Sequence, residues 1–174
     1  MNSIISGVTW IMDIFGGLFG RRRRRKPDPT PPKPEPKPNP PNPTPEPDIV
    51  PDLITDLLDT HNSIRAEKNI GALSLNSVLT EAAQKHAEWM LRKKKLSHVG
   101  EGGSSVSERT EVLGYSSSYI GENVAMGADS VSEVIYMWYN SSGHRANMLR
   151  GSYTEVGFGK AGNYWCTVFG RPNT

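Results

Sequence analysis

The fold is decided by a stretch near the C-terminal end of the chain, SVSEVIYMWYNSSGHRANML, which runs from Ser130 to Leu149. Its first half predicts an amphipathic helix that begins at Ser130, because the inward-facing apolar residues recur at three- and four-residue spacing: Val131, Val134, Ile135 and Trp138. A short helical turn is predicted around His144–Leu149. Two successive helical segments therefore carry one carboxylate, Glu133, and one imidazole, His144.

The flanking segments predict more helices and a terminal hairpin. Apolar stripes and capping residues predict helices at Asp52–Lys68, from Asn76 or Ser77 to about Lys95, and at Glu108–Leu113. The hairpin strands are predicted at Thr154–Lys160 and Tyr164–Phe169. Residues 96–121 are otherwise rich in Ser and Gly, which is typical of loops. Helices mixed with short C-terminal strands predict an α+β fold, in the form of a three-layer α/β/α sandwich, and not a helix bundle.

Four polar positions concentrate the chemistry of the second half of the chain: His98, Glu122 within Gly-Glu-Asn, Glu133 and His144. Two imidazoles and two carboxylates either bind a divalent metal or move protons near neutral pH. Each also has a structural interpretation. Glu133 follows Ser130 by three residues, as in a capping box, Glu122 could accept hydrogen bonds in a turn, and either histidine could be an ordinary surface or core residue.

Other candidate residues favour structural roles. His86 lies on the apolar face of its helix and His61 lies within the first helix. The segment Gly157–Gly162 reads GFGKAG, a literal match to the dinucleotide-binding pattern. Here the glycines end one strand and lead into a hairpin instead of opening a helix, so that interpretation fails its structural test. Cys166 is the only cysteine, which excludes an internal disulfide and a cysteine-based zinc site.

Composition divides the chain into unequal parts. Thirteen of its 14 prolines lie at residues 27–51, where almost no aliphatic or aromatic residue accompanies them. Such a segment cannot bury a core and favours extended polyproline II, a semi-rigid spacer of roughly 80 Å at ~3.1 Å per residue. The folded domain is therefore predicted at residues 52–174. Within it, 12 basic residues face 13 carboxylates, so no nucleic-acid footprint is expected.

The first 26 residues predict an attachment segment. Residues 1–20 combine an apolar helical face with glycine and polar residues on the opposite face, and residues 21–26 are all basic. Three interpretations stay open: an interfacial helix on an anionic membrane, a short membrane span or atypical signal sequence, and a peptide that docks onto a larger assembly. Each leaves the protein membrane-associated, exported or displayed at a surface.

From Leu57 to Gly170 the chain resembles the CAP superfamily (cysteine-rich secretory proteins, antigen 5 and pathogenesis-related 1), also called the SCP domain. The matching stretches follow the family order: LLDTHNSIRAEKNIGALSLNSVL, AAQKHAEWM, LSH at Leu96–His98, GENVAMG at Gly121–Gly127, VIYMWYNSSGHRANML at Val134–Leu149, YTEVGFG and YWCTVFG. The absence of further cysteines makes the chain most similar to the compact, disulfide-free bacterial branch.

This resemblance implies an α/β/α sandwich with a central cleft, in which His98, Glu122, Glu133 and His144 form the family's tetrad. It also implies that His98 and His144 can hold Zn²⁺ or another divalent cation. The preferred function is a tethered binding module whose cleft takes a lipid, a peptide or a glycan of the cell envelope. The alternative is a metal-assisted, protease-like hydrolase that uses the same tetrad, with Glu122 or Glu133 activating a bound water.

Overall fold

The computed structural model describes residues 51–173, and it places five α-helices and four β-strands in that part of the chain. The helices are α1 (Pro51–Glu67), α2 (Ser77–Lys93), α3 (Val106–Val112), α4 (Val131–Asn140) and α5 (Ser142–Met148). The strands are β1 (Ser74–Leu75), β2 (Tyr119–Met126), β3 (Glu155–Ala161) and β4 (Tyr164–Arg171). The predictions for residues 1–50 lie outside the described residues.

The helices begin and end where side-chain and backbone chemistry permits. The Asn76 side chain accepts hydrogen bonds from the N–H groups of Val78 and Leu79, which caps the start of α2. At the other end, Lys94 adopts a left-handed conformation with φ of 51°, and Arg92 and Lys93 lie in the last turn, where the helix dipole favours cations. Both ends of α2 agree with the sequence prediction.

The four strands form one mixed sheet in the order β1-β3-β4-β2. Strands β3 and β4 pair as an antiparallel hairpin, and β4 pairs antiparallel with β2. The two-residue strand β1 runs parallel to β3 at one edge. The hairpin turns at Gly162, whose φ of 55° is one that glycine adopts without strain.

Two buried clusters, one on each face of the sheet, make the fold a three-layer α/β/α sandwich. Side chains of β3 and β4 that include Phe158 and Trp165 pack with Leu57 of α1 and Trp138 of α4. On the opposite face, Cys166 and Val168 of β4 pack with the apolar stripe of α2: Leu79, Ala83, Ala87 and Met90. The predicted α+β class and its three layers are confirmed.

The GFGKAG segment has a packing role. Gly157 and Gly159 lie inside β3, and not at its end as the sequence interpretation places them. A Cβ added at Gly157 would lie closer than 3.0 Å to backbone atoms of Leu79 and Thr80, and one added at Gly159 would be as close to the backbone of Ala83. The two glycines therefore allow α2 to pack directly against the sheet.

Strand β2 is the main departure from the sequence prediction. The sequence places the Gly-Glu-Asn segment in a turn at the end of a loop, whereas Gly121–Asn123 lie within an eight-residue strand that pairs with β4 along its full length. Its residues Gly121–Ala125 are all buried, so the polar–apolar alternation that identifies a half-exposed strand is absent.

A buried arginine ties α1 to the segment that follows α5. Arg65 is fully buried, and its guanidinium donates hydrogen bonds to four backbone carbonyl oxygens, one shortly after α1 and three at or beyond the end of α5: Gly71, Met148, Arg150 and Tyr153. Five N–H donors in a fixed planar arrangement suit such a set of acceptors. Arg65 of α1 therefore fixes the end of α5 and the segment that follows it. None of the helices in residues 51–173 is both long and apolar enough to cross a membrane.

Candidate functional site

The buried carboxylate of Glu122, on β2, is the centre of the site. Its side chain is 2 % exposed. Oε1 accepts a hydrogen bond from His98 Nδ1 at 2.8 Å, and Oε2 accepts one from Arg109 Nη2. Cys166 Sγ lies 3.5 Å and His86 Nε2 lies 3.9 Å from Oε2. A buried carboxylate needs such a set of donors, because burial without a partner would strongly disfavour its charge.

His98 presents the exposed part of this network. Its side chain is 59 % exposed, and its ring is oriented by the Nδ1–H···Glu122 bond. That hydrogen bond raises the pKa of His98, and partial burial opposes it. With Nδ1 donating to Glu122, Nε2 is the nitrogen of His98 that is left to meet a ligand.

Arg109, on α3, was not identified from the sequence. Besides its ion pair with Glu122, its Nη1 donates to the carbonyl oxygens of His98, at 3.1 Å, and of Ser104, at 2.8 Å. One guanidinium therefore holds both the carboxylate and the loop that carries the imidazole. The sequence offered no signal for it, because an arginine on a short polar helix is ordinarily solvated.

Two asparagines join β2 to α5. Asn147 Nδ2 donates to the carbonyl oxygen of Glu122 at 3.1 Å and to Asn123 Oδ1 at 2.9 Å. Asn123 Nδ2 in turn donates to the carbonyl oxygen of His144 at 3.0 Å. This amide pair fixes the helix that carries His144 against the strand that carries Glu122.

His144 is half-buried on α5. Burial lowers the pKa of His144, and the positive charge of His98 lowers it further. The second effect means that the two imidazoles are close enough in space for their charges to interact. Near neutral pH, His144 is therefore held in its neutral form, which has a lone pair available for a metal or a hydrogen-bond donor.

Glu133 is the one member of the predicted tetrad that no described contact links to the other three. It is exposed, and its Oε2 accepts a hydrogen bond from the Asp129 N–H at 2.8 Å, while its own N–H donates to Ser130 Oγ at 3.3 Å. In a capping box this carboxylate would accept from the N–H of the N-cap residue, Ser130. Here it accepts from the N–H of Asp129, the residue before the N-cap. It borders a surface hollow of 390 Å³ with Tyr136 and Met137.

The structural roles predicted for His61 and His86 agree with their surroundings. His61 is fully buried, its Nδ1 bonds to the Leu57 carbonyl oxygen, and its ring packs between Trp138 and Phe158. His86 is also buried. Its Nε2 donates to the Ser97 carbonyl oxygen at 2.7 Å, which fixes the residue directly before His98.

The imidazoles of His98 and His144 are the candidate ligands for a divalent cation. Within residues 51–173, no group of three or more His, Cys, Asp or Glu side chains is arranged to hold a metal ion. What the site offers is the His98–Glu122 pair, in which a carboxylate accepts from Nδ1–H of a histidine whose Nε2 is left for a ligand. Metal-binding histidines commonly have this carboxylate partner. The remaining ligands would come from water or a bound molecule.

Comparison with known sequences gives one family. A family model described as CAP, cysteine-rich secretory protein family, matches residues 58–169, inside the predicted 52–174 domain. The chain is 28% identical over 115 residues to the protein YkwD of Bacillus subtilis (strain 168), covering 65% of this chain and 45% of that protein. It is 30% identical over 113 residues to the membrane protein YlbC of the same organism, covering 65% and 33%. The chain thus spans less than half the length of either relative.

Solved structures show the same fold. An extracellular protein containing an SCP domain from Bacillus anthracis matches with a TM-score of 0.67 and 24% identity, over 69% of this chain and 40% of that chain. An outer surface protein from Borrelia burgdorferi matches with a TM-score of 0.63 and 18% identity, over 68% and 92%. A cysteine-rich secretory protein from Staphylococcus aureus matches at 0.60 and 22%, over 68% and 38%.

Proposed function

Because the chain belongs to the CAP family of cysteine-rich secretory proteins, we propose that it is a binding module that acts outside the cell or at a membrane surface. Its recognition site comprises His98 and His144, positioned by Glu122, and it takes a divalent cation such as Zn²⁺ together with a peptide, lipid or glycan of the cell envelope. Residues 1–26 tether the module, and the proline-rich segment at residues 27–51 connects it to that tether.

The observation that carries this proposal is the state of Glu122. Both of its carboxylate oxygens are engaged, Oε1 by His98 and Oε2 by Arg109. A general base must be free to take a proton from water or substrate, whereas this carboxylate is committed to orienting an imidazole. This commitment of Glu122 supports a binding site and argues against Glu122 as the general base. Glu133, the other carboxylate considered for that role, has no described contact with either histidine of the site.

The His98–His144 pair supports the cation as part of the ligand. In the neutral form of His98, the hydrogen bond from Nδ1–H to Glu122 leaves the lone pair on Nε2. The same bond raises the pKa of His98, so a cation would compete with a proton at Nε2. Burial keeps His144 neutral by lowering its pKa, and the neutral ring is the form that binds metals. A bound cation would supply a Lewis-acidic point of attachment for an anionic or carbonyl group of the ligand.

The location proposed for the protein is supported by its relatives. The Bacillus anthracis structure is described as extracellular, the Borrelia burgdorferi protein as an outer surface protein, and YlbC as a membrane protein. The polybasic run at residues 21–26 next to an amphipathic segment suits attachment to an anionic membrane.

Zinc titration by calorimetry tests the site. The full chain should bind one Zn²⁺ per molecule, and His98→Ala or His144→Ala should each weaken that binding by about tenfold or more. His61→Phe is the matched control, because it also removes a histidine but does so in the core beside Trp138 and Phe158; it should leave the affinity unchanged. Unaltered stoichiometry and affinity in the His98→Ala/His144→Ala double variant would refute the cation site. Zinc-dependent turnover of a peptide or ester that disappears in the same variant would instead establish the hydrolase.

A further inference from the structure

A cavity lies between α2 and α3, next to the candidate site. It has a volume of 290 Å³ and is bordered mainly by carbon atoms. Ala82 and Trp89 of α2 contribute to one wall, and Val112 and Leu113, at the end of α3, contribute to the other. Val112 is 86 % exposed, so a ligand with an aliphatic group would gain free energy by covering this side chain.

Four charged residues, two of each sign, also border the cavity: Lys85, Arg109, Glu101 and Glu108. Both basic side chains are already paired with carboxylates that do not border it. Lys85 Nζ lies 2.6 Å from Glu81 Oε1, and Arg109 Nη2 donates to Glu122 Oε2. Within residues 51–173, no basic side chain forms an ion pair with either glutamate of the cavity. The uncompensated charge at the border is therefore negative.

Glu101 and Glu108 are open to a ligand in the fold as it stands. Both are exposed, so their carboxylates can be reached without movement of α3. Glu108 Oε2 accepts from the N–H and the hydroxyl group of Ser105 at the start of α3. These hydrogen bonds are the main reason that the pKa of Glu108 is lowered, and the charge of Arg109 contributes least, so the carboxylate is ionised near neutral pH.

The apolar walls and the negative border together select the occupant among ligands of the cell envelope. A fatty acid or a phospholipid carries a carboxylate or phosphate group, which Glu101 and Glu108 would repel. A glycan would bring hydroxyl groups against carbon atoms, where they lose their hydration without a partner. A peptide with an aliphatic side chain beside a lysine or arginine fits both features, because the aliphatic group fills the cavity and the cation pairs with the carboxylates.

We infer that this cavity binds a basic amphipathic segment of a partner protein, with an aliphatic side chain between α2 and α3 and a lysine or arginine side chain at Glu101 and Glu108. The segment adds a second contact surface to the proposed function. It does not depend on the cation site, because neither His98 nor His144 borders this cavity. Binding at the cavity should therefore persist in the presence of a metal chelator.

Three blocked peptides of equal length separate the effect of charge from that of apolar contact: acetyl-KLLKLLK-amide, acetyl-ELLELLE-amide and acetyl-KSSKSSK-amide. The methyl signals of Val112 in the nuclear magnetic resonance spectrum of the full chain, identified by their loss in a Val112→Ala variant, report binding at the cavity. With a metal chelator present, the lysine–leucine peptide should move these signals in a saturable way. The other two should bind at least about tenfold more weakly, because one carries glutamates that Glu101 and Glu108 repel and the other lacks an apolar group.

Charge variants localise the binding. Glu108→Gln keeps a hydrogen-bond acceptor for Ser105, since glutamine also serves in a capping box. The Glu101→Gln/Glu108→Gln double variant should weaken binding of the lysine–leucine peptide by about tenfold, because two ion pairs are lost. Glu88→Gln/Glu111→Gln is the matched control, since it removes the same charge from carboxylates of α2 and α3 that do not border the cavity; it should change the affinity by less than about twofold.

Equal affinity for the lysine–leucine and glutamate–leucine peptides would overturn the inference, as would unchanged affinity in the Glu101→Gln/Glu108→Gln variant. Saturable movement of the Val112 signals by octanoate, at an affinity equal to that of the lysine–leucine peptide, would also overturn it, because the cavity would then take an anionic lipid chain.

Discussion

At the scale of single residues, the site depends on one buried carboxylate and its cationic partner. Glu122 is 2 % and Arg109 13 % exposed at their side chains, so the pair is largely shielded from water. Removing one partner of such a pair leaves a buried charge without compensation, which is far more costly than losing an exposed ion pair. The same two residues set the orientation of His98, so a change that breaks their ion pair should both lower the stability of the fold and disturb the site.

Arg109→Met should therefore lower the free energy of unfolding by about 3 kcal/mol. The Arg109→Met/Glu122→Gln double variant should lose less than the sum of the two single changes, because it retains no uncompensated charge. Urea denaturation of the full chain measures both. Lys85→Met provides the control: its ion pair with Glu81 is 59 % and 53 % exposed, and its loss should change stability by less than about 1 kcal/mol. Additive losses in the double variant would show that the pair does not act as a unit.

His61 makes the stability of the fold depend on pH. Burial lowers the pKa of His61 from 6.5 to about 4, and the charge of Arg65 adds to the effect. Between these two values the unfolded chain binds a proton that the folded protein excludes. The stability that the neutral His61 contributes is complete above about pH 6.5 and is lost as the pH falls to about 4. At ~1.4 kcal/mol per pKa unit, the total loss is about 3 kcal/mol.

Chemical denaturation at pH 7.5 and at pH 4.5 measures this dependence, and a His61→Phe variant isolates it. Phenylalanine keeps an aromatic ring against Trp138 and Phe158 but cannot be protonated. The stability difference between the two pH values should be smaller in the variant than in the unaltered protein by about 2–3 kcal/mol. An identical pH dependence in both proteins would mean that His61 is not held in its neutral form by the core.

At the scale of the elements, the packing of α2 against β3 depends on two glycines, Gly157 and Gly159. Because the backbone of α2 occupies the space where a Cβ would stand, any larger residue must push the helix away from the sheet. Since α2 also carries His86, and His86 holds the loop before His98, this displacement would reach the candidate site.

Gly157→Ala should destabilise the protein by about 3 kcal/mol or more, at the upper end of the cost of overpacking. Gly151→Ala is the control, because nothing lies within 4 Å of the added methyl group at that position, and it should change stability by less than about 0.5 kcal/mol. Thermal unfolding of the two variants separates the effects. Equal unfolding temperatures for both variants would contradict the close packing of α2 on β3.

Much of this arrangement was predictable from local pattern, and the remainder depends on contacts between distant segments. The helices and the hairpin follow from periodicity and capping, as the Asn76 cap of α2 shows. Strand β2 was missed because its local sequence does not identify it. It is buried by pairing with β4, and its polar residues are hydrogen-bonded to α5. Arg109 and Asn147 were missed for the same reason, since Glu122, which both of them contact, lies 13 and 25 positions away in sequence. The family resemblance predicted the tetrad of His98, Glu122, Glu133 and His144, but it could not supply the contacts that these residues make.

At the scale of the whole molecule, the polybasic run at residues 21–26 is the proposed point of attachment. In sequence, the proline-rich residues 27–51 lie between this run and the rest of α1. Each basic residue near an anionic membrane surface contributes about 1 kcal/mol of attraction, and added salt screens it. Attachment through this segment should therefore be electrostatic as well as apolar.

Co-sedimentation of the full chain with lipid vesicles tests the attachment. The protein should sediment with vesicles that contain phosphatidylserine and much less with pure phosphatidylcholine, and about 0.5 M salt should reduce the bound fraction. Replacing all six residues of Arg21–Lys26 by serine should release the protein from the vesicles. The control is Lys93→Ser/Lys94→Ser/Lys95→Ser, which removes a basic run of the folded domain and should leave the bound fraction unchanged. Equal binding to neutral and anionic vesicles would contradict an electrostatic tether.

A crystal structure of the full chain grown with Zn²⁺, with the metal located by its anomalous scattering, would show whether His98 and His144 hold a cation while the Glu122 carboxylate only orients His98. We predict one peak bonded to His98 Nε2 and to a ring nitrogen of His144, with the His98 Nδ1–Glu122 hydrogen bond still in place. The proposed cation site would be contradicted by a peak on the Glu122 carboxylate or on His98 Nδ1. It would also be contradicted if zinc occupied other positions and gave no peak at His98 and His144.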